Sequence, residues 1–399
     1  MLKRFPVLNA GYLNRINQNR NIKMKIIHVI SSMNTSNGGP SFTTLLTLQG
    51  TRALGMEVEV LTCLPDPGEE VVLDDPDIRY LPGRCFPNKR WRYTKAIPCE
   101  LAKIKGVDLY HIQGIWLYSS YITAWFAHKQ GCPYLITLHG TFHPKALEQS
   151  SLAKKISMLL YQRRQLQHAA CVHATCKEEM EYYRALGFTN PVAVVPCPVE
   201  ICEVENSCVE NKKKRIGFLG RLHPVKRVDR LLEAWKRLQE FGELLIIGDG
   251  EPDYVAFLKK EAERLQLLNV CFTGWISGTE KKRLLASLTC LVVPSDFENF
   301  GMIVPEALLQ EIPVIASTGS PWEVLKTYRC GWWVNNDIDN LTEAVREALS
   351  LDEEELQAMG KRGRQLVLNK YSVDVVSRQM KQLYAWIAGQ GDKPEFVYD

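Results

Sequence analysis

Short apolar runs, each followed by a helix-length stretch, recur along almost the whole chain, and this alternation narrows its possible folds more than any other feature. A strand that is apolar on both faces must be covered on both faces, which parallel sheets flanked by helices achieve. The first series places strands at 25–31, 57–63, 108–112, 134–138, 171–174 and 192–195, with a helix at 42–54. The rhythm breaks at 197–214, where Glu200, Glu203 and Glu205 precede Lys212, Lys213 and Lys214 as in a linker. It resumes with strands at 215–219, 244–247, 270–273, 290–293, 314–316 and 331–334, and with helices at 227–238 and 254–265. Three further helices, 341–349, 353–368 and 373–387, close the chain. The fold class is therefore α/β, with two Rossmann-like βαβ domains. The boundaries read as a flexible basic leader at 1–23, a first domain at 24–198, a linker at 199–214 and a second domain at 215–372. A C-terminal helix and tail at 373–399 are expected to pack back on the first domain.

Composition removes several classes. No window approaches the roughly 18 apolar residues that a membrane-spanning helix needs, and residues 1–25 carry six cations but no continuous apolar core, so no secretory signal is read. The 12 cysteines include no C-x-x-C pair, which argues against zinc ribbons and redox motifs and fits reduced thiols in the cytoplasm. Charge is asymmetric: residues 1–200 have a net charge of +8, the remainder −4, and no acidic residue precedes Glu57. A basic first half points to an anionic partner.

In open α/β sheets ligands bind at the carboxyl ends of the strands, so the loops there are the place to look for chemistry. After strand 290–293 comes Ser295-Asp296-Phe297-Glu298-Asn299-Phe300-Gly301-Met302, with Glu306 two turns into the next helix. Unpaired N–H groups at that helix start suit a phosphate, and the two carboxylates suit sugar hydroxyls. After strand 215–219 comes Gly220-Arg221-Leu222-His223-Pro224-Val225-Lys226, whose two cations can close on a diphosphate from two directions. Gly38 and Gly39 sit between the first strand and first helix, where backbone can approach an anion. His139 directly follows an apolar strand and can donate to a sugar hydroxyl near neutral pH. His111 is placed similarly with less around it. No H-E-x-x-H, Asp-x-Asp or GxGxxG occurs near these positions, so neither a metal site nor a dinucleotide fingerprint is read.

Together these strings resemble the retaining glycosyltransferases of family 4, over nearly all of residues 24–390 and most densely over 215–320. The resemblance implies the GT-B fold, two Rossmann-like domains facing each other across a cleft, the first taking the acceptor and the second the nucleotide-sugar donor. It implies catalytic roles for His139 and Glu298, with Glu298 at the donor sugar and Glu306 at the ribose. Gly38, Gly39, Arg221, Lys226 and Met302 would surround the diphosphate. Gly250, Trp275, Ile276, Asn299, Phe300 and Gly301 complete the implied donor site, with Trp275 and Ile276 beside the base. No metal or cofactor is implied, a UDP- or GDP-linked sugar being the co-substrate. Two departures stand out: Arg227 replaces a usual glycine, and Pro196-Cys197-Pro198 replaces the usual Pro-Asn-Gly.

The implied activity is transfer of a hexose to an acceptor hydroxyl with retained configuration, in exopolysaccharide or lipopolysaccharide assembly, on a saccharide or lipid-linked acceptor. Rival readings are a non-catalytic sugar-nucleotide binding module and another GT-B enzyme such as an epimerase. Nucleic acid is not an expected partner, since no recognition motif accompanies the positive charge. An anionic membrane surface is, at the inner face of the plasma membrane. Arg79, Arg84, Lys89, Arg90, Arg92 and Lys95 are interleaved with Phe86, Trp91 and Tyr93, and 154–164 alternates basic and apolar groups at helical spacing. The competing expectation buries Ile156, Leu159 and Leu160 inside their own domain.

Overall fold

The computed structural model describes residues 24–35, 38–66, 68–71, 75–83, 91–148, 151–204 and 214–399. The chain divides into two compact units, residues 1–175, 179–198 and 373–399 forming one and residues 176–178 and 199–372 the other. In the first unit the strands are β1 (Lys25–Val29), β2 (Glu57–Cys63), β3 (Ile78–Leu81), β4 (Leu109–Gln113), β5 (Tyr134–Thr137), β6 (Cys171–Ala174) and β7 (Val192–Val194). The second unit has β8 (Arg215–Leu219), β9 (Glu243–Ile247), β10 (Val270–Gly274), β11 (Cys290–Val293), β12 (Val314–Ser317) and β13 (Gly331–Val334). The chain then returns to the first unit with the helix Val373–Ile387 and β14 (Val397–Tyr398).

The second unit's sheet runs β10-β9-β8-β11-β12-β13, all parallel. Counted from its own first strand this is the order 3-2-1-4-5-6, whose direction reverses between the first and fourth strands. The first unit's sheet has the same plan, β14-β7-β6-β5-β4-β1-β2-β3, reversing between β1 and β4. Only β14 is antiparallel, pairing with β7. Strands β4, β5, β6, β11 and β12 are buried at every residue, the physical basis of their mainly apolar runs, which His111 and Gln113 in β4 and His173 in β6 interrupt.

Each face of the first sheet has its own core. One is built on Ile27, Tyr110, Ile136 and Phe142, the other on Ile26, Leu48 and Val58 with Met380, Leu383 and Tyr384 of the returning helix. Full burial of such side chains contributes about 1.5–3 kcal/mol each. The first helix, Gly39–Ala53, is rich in threonine yet buried. Its hydroxyls bond back along the helix, Thr44 to Pro40 O at 2.7 Å and Thr47 to Thr43 O at 2.7 Å, so they need no water. The helix expected at 227–238 is shorter at both ends, Val228–Trp235. Pro224–Lys226 closes a 3-10 turn and Arg227 takes φ +52°, while past Trp235 the bonds tighten to turns, Arg237 N–H to Ala234 O and Leu238 N–H to Trp235 O. Strands β3 and β14 are absent from the pattern-based expectation: both are edge strands of the first sheet and neither is buried throughout, so neither reads as a continuous apolar run. Among the described residues no helix is long and apolar enough to cross a membrane.

Candidate functional site

In the second unit the loops after β8 and β11, the two strands at the reversal, are tied together. Asp296 N–H donates to Val225 O at 2.8 Å, and Lys226 Nζ lies 2.5 Å from Glu298 Oε1. Ser295 Oγ donates to the same oxygen at 2.7 Å, and Glu298 N–H to Gly319 O at 2.8 Å. Both side-chain bonds fall on Oε1, and among the described residues Oε2 meets no donor, which leaves it able to accept from a ligand hydroxyl. Beneath this pair, Asp296 Oδ1 accepts from Asn336 at 2.8 Å and from Arg230 at 3.3 Å, fixing the loop from below.

Gly301 has φ +74°, a conformation that side chains rarely adopt, and the helix Ile303–Leu309 begins two residues later. Its own ladder starts with Val304 N–H on Gly301 O, so Met302 and Ile303 have no acceptor within it. The Phe300 carbonyl accepts from Trp322 Nε1 at 2.5 Å, and Phe300, Trp322 and Tyr371 pack as three rings with centroids 5.2–5.7 Å apart. Asn299 and Met302 are half-buried. Glu306 pairs with Lys281 at 2.5 Å, a partner the sequence reading did not single out. Thus both carboxylates of the Glu298–Glu306 string are held by lysines.

The strand tips beside this loop carry the remaining donor candidates. Leu222 N–H bonds to Asp249 O at 2.8 Å, and a Cβ on Gly250 would stand 2.0 Å from Leu222 O, so only glycine fits. Arg221 is exposed. Together with Lys226, and after the larger effect of burial, it lowers the pKa of His223, a sign of positive potential at this tip. Trp275 is 72% exposed and Ile276 half-buried at the end of β10. Arg221, Lys226, Gly250, Trp275, Ile276 and the 298–306 string therefore all lie at the carboxyl edge of one sheet.

In the first unit Gly38 starts the helix Gly39–Ala53, and a Cβ on either glycine would meet nothing within 4 Å, so the backbone there is open to approach. His139 follows β5 with φ +53°, uncommon for a residue other than glycine and a mark of local strain. Glu179, buried, holds this turn: it accepts from Gly140 N–H and, at 2.7 Å, from Thr175 N–H. Burial raises its carboxyl pKa, and those backbone bonds pull it back. His139 Nε2 is 2.9 Å from Gln113 Oε1, and a carboxamide oxygen can only accept. The imidazole N–H is thus already used. This corrects the expectation that His139 donates to a sugar hydroxyl, because the atom left for a ligand is Nδ1. Burial, and next His173, push its pKa down to about 3. Gln113 and Glu179 were missed in the sequence, where nothing but a polar residue at a strand end or in a helix marked them.

The expected basic surface divides. Arg84, Phe86, Lys89 and Arg90 lie outside the described residues. Arg92 is buried and pairs with Asp66 at 2.6 Å, and Arg79 pairs with Glu59 and Glu100 at 2.6 and 2.7 Å, so neither is a free surface cation. Trp91 packs on Tyr118, Tyr121 and Tyr161, and Tyr93 on Tyr118, which corrects their reading as rings at headgroup level. The other segment behaves oppositely. Across Ser151–Ser157, the π-helical turn Met158–Gln162 and Arg163–Gln167, the leucines Leu159 and Leu160 are 85% and 73% exposed, and Leu152 and Ile156 are exposed too. The expectation that Ile156, Leu159 and Leu160 are buried in their own domain is not met.

A pocket of about 560 Å³ in the first unit, lined by Asp108, Pro133 and Ile387 among others, opens at the amino ends of β4 and β5. That is the edge opposite to the one where such sheets bind ligands.

Comparison with known proteins agrees with this architecture. Residues 204–366 match the family described as glycosyl transferases group 1, and residues 38–198 match the glycosyl transferase 4-like domain. The chain belongs to the group 1 glycosyltransferases and has their GT-B fold. The GDP-mannose-dependent α-mannosyltransferase of Mycolicibacterium smegmatis is 33% identical over 142 residues, 34% of this chain and 33% of that protein. An uncharacterised glycosyltransferase of Methanocaldococcus jannaschii is 28% identical over 179 residues, 44% of this chain and 46% of its own length. The chain thus spans less than half the length of these curated relatives. Among solved structures, sucrose-phosphate synthase of Thermosynechococcus elongatus superposes with a TM-score of 0.75 at 20% identity, covering 92% of this chain and 100% of that one. Anabaena HepE in complex with UDP and glucose gives 0.72 at 16% identity, covering 91% and 100%.

Proposed function

We propose that the protein transfers a hexose from a nucleoside diphosphate sugar to an acceptor hydroxyl with retention of configuration. The observation that carries this reading is the Lys226–Glu298 pair at the strand reversal of the second sheet. It sets a cation for a phosphate beside a carboxylate with an oxygen to spare for a sugar hydroxyl. Arg221, Lys226 and the N–H groups around Gly301 and Met302 stabilise the diphosphate, whose charge grows as the bond to the anomeric carbon breaks. Glu306 takes the ribose hydroxyls, and Trp275 and Ile276 the base. In the first unit Gly38 and Gly39 serve the phosphates and His139 a sugar hydroxyl. Glu298 is paired with Lys226 and Ser295, which suits orientation of the sugar better than nucleophilic attack. The acceptor oxygen then bonds to the anomeric carbon on the face the diphosphate leaves, and its proton passes to the departing phosphate oxygen. No metal or cofactor enters this scheme, because the cations named do the charge stabilisation.

One named relative is GDP-mannose-dependent and one similar structure is solved with UDP and glucose, which supports a UDP- or GDP-linked hexose as donor and a saccharide or lipid-linked saccharide as acceptor. The exposed Leu152, Ile156, Leu159 and Leu160, flanked by Lys155, Arg163 and Arg164, favour an acceptor reached at an anionic membrane surface, as in exopolysaccharide or lipopolysaccharide assembly. The test is incubation with UDP- and GDP-hexoses and simple saccharide acceptors, with the anomeric configuration of the product read by NMR. An inverted product would refute the retaining scheme, and donor binding without turnover would favour a binding module.

A further inference from the structure

Three strands of the first sheet carry a histidine at an interior position: His28 in β1, His111 in β4 and His173 in β6. None belongs to the donor site as read above, and all three are buried. They are joined to His139 by an unbroken run of hydrogen bonds through Gln113, Tyr384 and Thr137.

The direction of every bond in this run follows from its far end. Val195 O can only accept, so His173 Nε2, 2.7 Å away, carries the proton. A neutral His173 then has a lone pair on Nδ1, which accepts from Thr137 Oγ1 at 2.9 Å. With its one proton spent, Thr137 accepts from His111 Nε2 at 2.6 Å. His111 Nδ1 therefore accepts from the Tyr384 hydroxyl at 2.7 Å, and that oxygen accepts from His28 Nε2 at 3.1 Å. His28 Nδ1 accepts from Gln113 Nε2 at 3.2 Å, which turns Gln113 Oε1 toward His139 Nε2. Seven bonds point one way. The rings stay neutral because burial disfavours the imidazolium at each one, and the groups that face them are one another and Tyr384. Glu179, the carboxylate that holds the turn after His139, is spent on Gly140 and Thr175.

We propose that this run is a tautomer lock, in which a backbone carbonyl at Val195 dictates, through six side chains, that His139 is the Nε2–H form and presents Nδ1 to its ligand as an obligatory acceptor. Gln113, His28, Tyr384, His111, Thr137 and His173 are positioning residues. The chemistry selected at His139 is a ligand hydroxyl or N–H, and an ether or carbonyl oxygen is refused. To reverse one tautomer alone leaves two donors or two acceptors facing each other in a buried site, so the lock resists piecemeal change. That the ligand is the donor sugar rests on the function proposed above, whereas the lock does not.

The experiment is long-range proton–nitrogen NMR of the full chain labelled with 15N-histidine, at pH 7.5 and without any donor. Signals are assigned by single histidine substitutions. His28, His111, His139 and His173 should all show a protonated Nε2 and a bare Nδ1. Thr137→Val removes the acceptor for His111, and the bonds from His111 to His139 can then all run backwards. His111, His28 and His139 should switch to the Nδ1–H form while His173, still tied to Val195, does not. Thr137→Ser keeps a hydroxyl and should restore the original spectrum. If Thr137→Val fails to fold, Tyr384→Phe cuts the run at another link, and His139 should then lose its single tautomer. A wild-type His139 protonated at Nδ1, or one unmoved by both cuts, would overturn the lock and leave the transferase reading intact. The lock observed with no binding of UDP- or GDP-hexoses would do the reverse.

Discussion

Acidification should unfold the first unit at a pH where ordinary proteins remain folded, and the burial of its histidines sets how steeply. His28, His111 and His173 are 0%, 1% and 8% exposed. Burial, the largest cause in each case, lowers their pKa, to about 3 for His28 and about 4 for His173. Their ordinary value is about 6.5. The sign follows: between about pH 6.5 and 4 the unfolded chain takes up these protons and the native chain does not, so stability is lost as pH falls. Each histidine can contribute about 1.4 kcal/mol per pH unit there. Glu179 opposes with one proton at most, because burial raises its pKa and favours proton binding in the native state. His139, pushed down to about 3 as well, adds a fourth such histidine, so a net uptake of about three protons remains, or about 4 kcal/mol per pH unit. Against a typical stability of about 5–15 kcal/mol, two units of acidification exhaust much of the margin. Carboxylates held low by partners, such as Asp75, where burial pulls upward but Arg52 and the Asp77 N–H together outweigh it, add their loss only nearer pH 4. Urea titrations of the full chain at half-unit steps from pH 7.5 to 5 measure the slope directly. Between pH 6 and 5, below the unfolded value, a slope under about 1.4 kcal/mol per pH unit, fewer than one proton taken up, would refute the reasoning.

Glu298→Gln keeps an oxygen for Lys226 and Ser295 but removes the charge, so the fold should lose about 1 kcal/mol. Turnover should fall at least about tenfold, and activity within twofold of wild type would remove Glu298 from the site. Gly250→Ala drives a methyl group onto Leu222 O, where backbone must move, and should cost at least about 1–3 kcal/mol in thermal unfolding; an unchanged Tm would mean that the strand tips are looser than described. The double change Leu159→Glu and Leu160→Glu should abolish co-sedimentation with anionic vesicles at low salt without lowering Tm, since both side chains are exposed. Undiminished vesicle binding by that variant would dismiss this surface as a membrane contact.

The strands whose every residue is buried were the easiest to find, and β11 falls at the residues expected because nothing polar interrupts Cys290–Val293. The Glu298–Glu306 string was legible as a motif on a loop, since it combines a glycine, two carboxylates and a helix start. What could not be read was pairing. Nothing in the local sequence ties Lys281 to Glu306 or Gln113 to His139, because these contacts depend on how separate strands and helices are laid side by side. A signal for the histidine run did exist. His28, His111 and His173 each interrupt an apolar strand of a sheet covered on both faces, and a buried polar ring must find partners. Leu159 and Leu160 show the limit of a period: it announces a helix but leaves two expectations standing, an apolar side turned outward or into the core, and the structure takes the first.

The return of the last residues to the first unit has a consequence for how the protein is made. Its sheet lacks an edge until β14 is synthesised, and one of its cores lacks Met380, Leu383 and Tyr384 until the helix Val373–Ile387 has left the ribosome. The usual order of vectorial synthesis, amino-terminal domain first, is therefore closed to this chain. Nearly all of the second unit is the continuous stretch 199–372, and it can close while the first still waits for its final strand. The unit begun first is finished after the second, and a chain stalled before Val397 would hold a complete second unit and an incomplete first.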